Sequence, residues 1–387
     1  MRSTLVRRIG ELTTNDPTLG DESPMGRLRD AALVVLDGRV AWVGPDAEAP
    51  EADAVIDAAH AAVIPGFVDS HTHLVFAGER SDEFEARMSG LHYDGGGITR
   101  TVAATRAARE TDLVSETARR VRQLHDGGVT TMEIKSGYEL TTDGEVRQLR
   151  VAAHFSNEVT WLGAHVVPDE FRHDRNAYLE LVTGSMLDAC AHHAQWADVF
   201  CDRGAFSVDE ARRVLTRAKS LGLGLRLHAN QLAHGEAIAL AVELDAASVD
   251  HVTYVEDQDI DLLAAASTVA TLLPGAEFST RSPYSPARRF LDAGVTVALA
   301  TDCNPGSSYV TSMSFVIALA VRDMMMSPDE ALWSATKGGA CALRRGDVGH
   351  LGLGARADFV ILDAPRAAHV AYRPGSNLAA RVERADR

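Results

Sequence analysis

The chain has 387 residues, 46% of them hydrophobic, enough to bury a large core as two or three ordinary domains or as one large barrel. Its formal net charge of −16 speaks against a nucleic-acid backbone or an anionic membrane surface as partner, although a small substrate can still meet a locally positive site. The four cysteines, Cys190, Cys201, Cys303 and Cys341, are scattered with no Cys-x-x-Cys pair, which excludes a disulfide framework and a thiolate metal site.

Taken in order, residues 1–62 read as short strands. Residues 31–36 and 39–43 flank Asp37-Gly38, a dipeptide that accepts the positive φ of a tight type I′ hairpin turn. Residues 54–57 make a further strand, and no useful helix fits before Pro65. The N-terminus lacks the apolar core of a signal peptide, and no apolar run nears the roughly 20 residues that span a bilayer, so a cytoplasmic location is expected.

From Gly66 the pattern changes. Apolar runs at 67–73, 129–135, 160–165, 197–201, 223–228, 247–251, 269–273 and 295–301 alternate with helical stretches at 100–124, 144–155, 175–194, 208–221 and 235–244. Asp143 and Ser207 read as helix caps, and Gly127-Gly128 and Gly222 as helix ends. Continuous apolar strands alternating with helices mean parallel strands covered on both faces, and eight such units predict an α/β, TIM-type (β/α)8 barrel. No Gly-x-Gly-x-x-Gly follows a strand, and Gly95-Gly96-Gly97 reads as loop. After residue 345 short strands return at 357–362 and 368–372. The expected organisation is therefore a barrel over 63–344 beside a small β domain assembled from 1–62 and 345–387.

Chemistry in such a barrel sits at the C-terminal strand ends. Five of the eight predicted strands deliver a histidine or aspartate there: His71 and His73 from the first, then His165, His228, His251 and Asp302. His71 and His73, two apart on an extended segment, point to the same side. His92, His125, His154, His173, His192, His193, His234, His350 and His369 fall in loops or helices and read as structural rather than ligand positions, His192-His193 as a solvated helix face. Three imidazoles (His71, His73, His228) and the Asp302 carboxylate suit a single divalent ion, with a position left for water. Asp302 can also take that water's proton, and His251 stands beside it as a proton carrier or hydrogen-bond partner. Cys201 occupies the end of strand four, where a bridging carbamate would need lysine, so one ion is favoured over two.

The run Gly66-Phe67-Val68-Asp69-Ser70-His71-Thr72-His73, with His228, His251 and Asp302 later, resembles the amidohydrolase superfamily. The finer resemblance is to the imidazolonepropionase family. It rests on residues 71–80, on Glu133-Ile134-Lys135-Ser136-Gly137-Tyr138, on Leu162-Gly163-Ala164-His165, on 197–201 and on Asp302-Cys303-Asn304-Pro305-Gly306-Ser307. The resemblance implies hydrolytic ring opening of 4-imidazolone-5-propanoate to N-formimidoyl-L-glutamate in histidine degradation, with one zinc or iron ion per subunit. A metal-bound hydroxide would attack the cyclic amide carbonyl while Asp302 and His251 handle the proton. It assigns Arg80 to the propionate, Tyr138 and His165 to the ring or propionate, and Asn304, Gly306 and Ser307 to a polar loop closing on the carboxylate end. Read alone, Arg80 is a surface partner of Glu79 or Asp82, and Ser307 a turn residue. The partner expected is a small molecule, with no nucleic acid or membrane, and the assembly a homodimer.

Two departures from the family pattern stand out. Gln231 occupies the place of a glutamate three residues after His228; an amide cannot act as a base, which leaves it an orienting role through hydrogen bonds. The loop around Tyr93 is shorter than the family's. A deaminase of nucleobases, the nearest rival, would rely on the missing glutamate; a non-catalytic scaffold, the remote rival, would lose metal ligands that are all present here.

Overall fold

The computed structural model describes residues 3–91 and 97–385. His92, Tyr93, Gly95 and Gly96, and with them the loop expected to act as a lid, lie outside the described residues. Five strands come first: β1 (Ser3–Thr13), β2 (Arg27–Leu36), β3 (Arg39–Pro45), β4 (Ala54–Asp57) and β5 (Ala62–Pro65). Eight follow: β6 (Phe67–Asp69), β7 (Val129–Lys135), β8 (Glu158–Ala164), β9 (Trp196–Cys201), β10 (Gly224–Ala229), β11 (Ser248–His251), β12 (Val269–Leu272) and β13 (Val297–Leu299). The chain closes with β14 (Phe359–Leu362) and β15 (Ala379–Glu383). No helix among the described residues is long and apolar enough to cross a membrane.

Two compact units emerge, Met1–Asp69 with Gln123–Thr131 and Ser312–Arg387, and Ser70–Arg122 with Met132–Thr311. In the first, strands from both chain ends share one seven-stranded sheet, ordered β15-β14-β5-β1-β2-β3 with β4 also on β1. The β2–β3 hairpin turns at Asp37 and Gly38 with φ of 48° and 77°, as its Asp-Gly pair predicts. One face of the sheet buries Val6, Ile9, Leu12, Leu33, Val63 and Phe359 in an apolar cluster.

Strands β6 to β13 form an eight-stranded sheet in simple sequence order, with parallel pairing from β7 through β13. Closure comes just beyond β6 and β13: Asp302 N donates to His71 O (3.0 Å) and His73 N to Cys303 O (3.0 Å), with a parallel bridge between Thr72 and Cys303. The barrel of the sequence reading is therefore present. Helix Val208–Ser220 illustrates how the outer layer forms. Ser207 and Glu210 make a reciprocal capping box, and Ala211, Val214, Leu215 and Ala218, at helical spacing, are buried.

Several expected boundaries shift. The first barrel strand ends at Asp69, so His71 and His73 lie on the extended segment just past it. Residues 100–124 divide into helices Ile98–Ala107 and Glu110–Asp126, and residues 175–194 into Arg175–Thr183, Ser185–Cys190 and a 3-10 turn. Thr141 rather than Asp143 caps helix Thr142–Ala153, its side chain accepting from Gly144 N. Residues 368–372, expected as a strand, are instead the short helix His369–Tyr372, and the last strand is β15.

Candidate active site

The four donors expected to share an ion, His71, His73, His228 and Asp302, come together within the second unit. The Nε2 atoms of His71 and His73 are 3.2 Å apart, and those of His228 and His73 3.3 Å. Asp302 Oδ1 lies 3.5 Å from Nε2 of both His71 and His73. His251 forms a second cluster with His71 and His228, its donor atoms all within 4.8 Å, so it stands within reach of the same point.

What aims these side chains is strained backbone. Asn230, His251, Val252 and Asp302, at or just past the ends of β10, β11 and β13, have φ of 53°, 77°, 46° and 51°. Left-handed conformations cost of order 1–3 kcal/mol each and persist where the surroundings over-determine them. Here Val252 N is bound to Ala229 O and Asp302 N to His71 O, both at 3.0 Å. Ser285 Oγ donates to His251 O (2.8 Å), and Ser285 and Thr253 hydroxyls also meet Glu277 Oε1 at 3.0 and 2.9 Å.

The imidazoles are buried, and burial pushes His71, His73 and His251 well below the usual histidine range and His165 down to about 3. His71, His73, His165 and His251 are therefore neutral at physiological pH. His71 Nδ1 lies 2.7 Å from Asp250 Oδ2 and His228 Nδ1 3.0 Å from Asp198 Oδ2. An ionised carboxylate only accepts, so the His71 proton sits on Nδ1 with the lone pair on Nε2, and the Asp198 charge beside His228 Nδ1 favours the same tautomer there. Two such lone pairs face His73 Nε2, which can donate to one of them at most; a cation resolves the conflict. Donor separations of 3.2–3.5 Å suit atoms sharing an ion at roughly 2.0–2.2 Å. Burial, reinforced by the nearby Glu277 charge, raises Asp302 well above the usual carboxylate range, and its Oδ2 has no hydrogen-bond partner among the described residues. A carboxyl so placed is a proton acceptor in want of a positive neighbour.

The pocket over this cluster is lined by Arg80, Tyr138, His165, Gln231, Asn304 and Ser307, together with His73, His228, His251 and Asp302. Arg80 is only 6% exposed. Its guanidinium meets Glu83 with both arms, at 2.9 and 2.6 Å, rather than Glu79 or Asp82. His165 Nδ1 donates to Gly137 O (3.0 Å), leaving Nε2 as an acceptor, and its ring lies over His73 at 5.6 Å and 21°. Tyr138 sits 5.4 Å from His165, ring to ring. Gln231 is tied by its backbone N to Asp202 Oδ2 (2.6 Å), which leaves its amide at the pocket wall. Asn304 spans its own loop: Oδ1 accepts from Gly306 N and Ser307 N at 2.8 Å, and Nδ2 donates to Asp302 O at 2.7 Å and Ser307 Oγ at 2.9 Å. Gly306 does not line the pocket; it backs Arg80 so closely that an added Cβ would sit 2.3 Å from Nη1.

The sequence reading missed the charged groups beneath the rim. Lys135, Glu133, Asp198, Asp250 and Arg226 are all fully buried, together with the newly found Glu277 at 3% exposure. A signal was available: charges at i, i+2 inside otherwise apolar strands, as in Glu133/Lys135 and Arg226/His228, mark positions facing a barrel interior.

A family model described as the amidohydrolase family matches residues 62–382. An imidazolonepropionase of Streptomyces coelicolor is 59% identical over 382 residues, covering 99% of this chain and 98% of that one. Another, from Salinispora arenicola, is 61% identical over 385 residues, covering 99% and 97%. Among solved structures, an atrazine chlorohydrolase of Arthrobacter aurescens, complexed with zinc and atraton, superposes with a TM-score of 0.73 at 18% identity over 99% of this chain and 94% of that one. An adenosine deaminase of Xanthomonas campestris with bound zinc gives 0.72 at 19% identity over 99% and 91%. Identities this low speak for the fold alone.

Proposed function

The chain belongs to the amidohydrolase family and, within it, to the imidazolonepropionases, and from that premise we propose how its residues divide the work of hydrolysing a cyclic amide. The substrate is 4-imidazolone-5-propanoate and the product N-formimidoyl-L-glutamate, a step of histidine degradation. The observation that carries the reading is the convergence on His73 Nε2, which lies 3.2 Å from His71 Nε2, 3.3 Å from His228 Nε2 and 3.5 Å from Asp302 Oδ1, with Asp302 Oδ1 also 3.5 Å from His71 Nε2.

Those four residues would hold one zinc or iron ion; three imidazoles and a carboxylate accept either. Such an ion supplies Lewis acidity, for water and for a carbonyl oxygen alike. Asp302 Oδ2, unpartnered and raised by burial, takes the proton of the attacking water. His251, neutral and held by its strained turn, relays that proton towards the departing ring nitrogen. His165 Nε2 accepts from a ring N–H, while Tyr138 closes one side of the ring's slot. Gln231 orients the ring through its amide and moves no proton. Arg80 exchanges part of its Glu83 pairing for the propionate, which a guanidinium can grip with two parallel bonds. Asn304 and Ser307 brace the loop that presses Gly306 against Arg80, so this end of the pocket recognises carboxylate by shape as well as charge.

A cytoplasmic location and a homodimer go with this reading, as does the absence of nucleic-acid and membrane partners. The test is the loss of imidazolone ultraviolet absorbance with the metal-loaded chain, with N-formimidoyl-L-glutamate identified as product. Gln231→Glu retains activity, since either side chain can bond the ring. No absorbance loss, or full activity in Gln231→Ala, would overturn the reaction or the orienting role respectively.

A further inference from the structure

We propose that Lys135 is a positioning residue whose ammonium locks the two carboxylates that orient the metal-binding imidazoles, and so sets how tightly the site holds its ion. The proposal rests on the metal reading above. It concerns a residue of the Glu-Ile-Lys-Ser-Gly-Tyr segment to which no role has yet been given.

Lys135 ends β7 with its side chain wholly buried. Nζ lies 2.9 Å from Glu133 Oε1, 2.9 Å from Asp198 Oδ2 and 3.9 Å from Asp250 Oδ2. Those same two oxygens face the rings: Asp198 Oδ2 is 3.0 Å from His228 Nδ1 and Asp250 Oδ2 2.7 Å from His71 Nδ1. One ammonium therefore stands behind the carboxylate of each of two metal histidines. Arg226 adds support on the Asp250 side, 3.6 Å from Oδ2, and donates to Ser70 O at 2.7 Å. Glu133 completes the frame by accepting from Thr72 N (3.1 Å), the residue between His71 and His73.

The physics gives the lysine a task. A buried carboxylate holds its charge only beside a cation or several donors. Here the cations are Lys135 Nζ, 2.9 Å from Asp198 Oδ2 and 3.9 Å from Asp250 Oδ2, and Arg226 Nη2, 3.6 Å from Asp250 Oδ2. Charged carboxylates keep the histidine protons on Nδ1 and the Nε2 lone pairs aimed at the ion. Partners of this kind are worth about 10–100-fold in metal affinity. A lysine that only filled space would show no such link to Asp198.

The experiment is a zinc-affinity cycle on the full chain. Zinc dissociation constants are measured by competition with a chromophoric chelator for metal-stripped wild type, Lys135→Met, Asp198→Asn and the double variant, with thermal melting of each stripped protein as a check on folding. Lys135→Met is expected to weaken zinc binding about 10–100-fold, and to weaken it clearly less when Asp198→Asn is already present, because one path has been cut twice. The double variant lacks the charge imbalance and keeps the comparison open should Lys135→Met not fold: its affinity is then expected near that of Asp198→Asn alone. Wild-type affinity in Lys135→Met, or losses that multiply in the double variant, would overturn the proposal. A wild-type chain that takes up no zinc or iron would instead remove the metal reading on which it stands.

Discussion

The two sheets of this molecule solve opposite problems. The sheet built from the chain ends buries Val6, Ile9, Leu12, Leu33, Val63 and Phe359, and its flanking acids find arginines, Glu11 with Arg29 at 2.9 Å and Asp358 with Arg356 at 3.0 Å. The barrel interior buries Glu133, Lys135, Asp198, Arg226 and Asp250, all at 0% exposure, under a ring of histidines. Hydrophobic burial stabilises the first directly. The second sustains a high desolvation cost, which opposed charges offset only with close geometry. The contrast teaches that buried charge in this chain is kept for what it holds in place.

If that division is right, substitutions on the two sides separate activity from stability. Asp302→Asn, which loses the unpartnered proton acceptor, is expected to lower kcat/KM by about a thousandfold or more, roughly 4 kcal/mol, with little change in melting. Ile9→Ala in the end sheet does the reverse, costing about 3 kcal/mol of stability by denaturant titration while kcat stays as in wild type. An Ile9→Ala enzyme with crippled kcat would break the comparison.

Glu277 sharpens it, as a buried acid inside the barrel unit that serves the strained His251 turn. Burial pushes it up to about 7 from 4.5. The folded chain then holds a proton that the unfolded chain has released, so this stabilisation is complete below about pH 4.5 and lost as pH rises through about 7. Glu277→Gln keeps the neutral form throughout. It is expected to match wild type in melting near pH 5 and to exceed it near pH 8 by on the order of 2–3 kcal/mol. Equal slopes with pH would remove the assignment. The smallest effect concerns the carboxylate end: Arg80→Lys keeps the charge but loses the planar fork, and KM should rise about tenfold with kcat nearly unchanged.

Much of this was written in the sequence. Apolar runs alternating with helical segments gave the barrel, and five strand-end positions gave the rim, because both follow from local pattern and one rule about where barrels do chemistry. What escaped were pairings set by distance along the chain. Lys135 meets Asp198 across 63 positions and His71 meets Asp250 across 179, and no local pattern reports on them. Arg80 found Glu83 because helix Ser81–Met88 begins at once and brings i+3 alongside. Residues 368–372 read as a strand, but the backbone takes a single helical turn there, and β14 pairs with β15 further on.

The central claim is tested most directly by metal content per chain. Purified wild type, loaded and then desalted, should carry one zinc or iron ion, and His228→Ala far less under the same wash. A metal-free wild type that still opens the imidazolone ring at full rate would contradict the account.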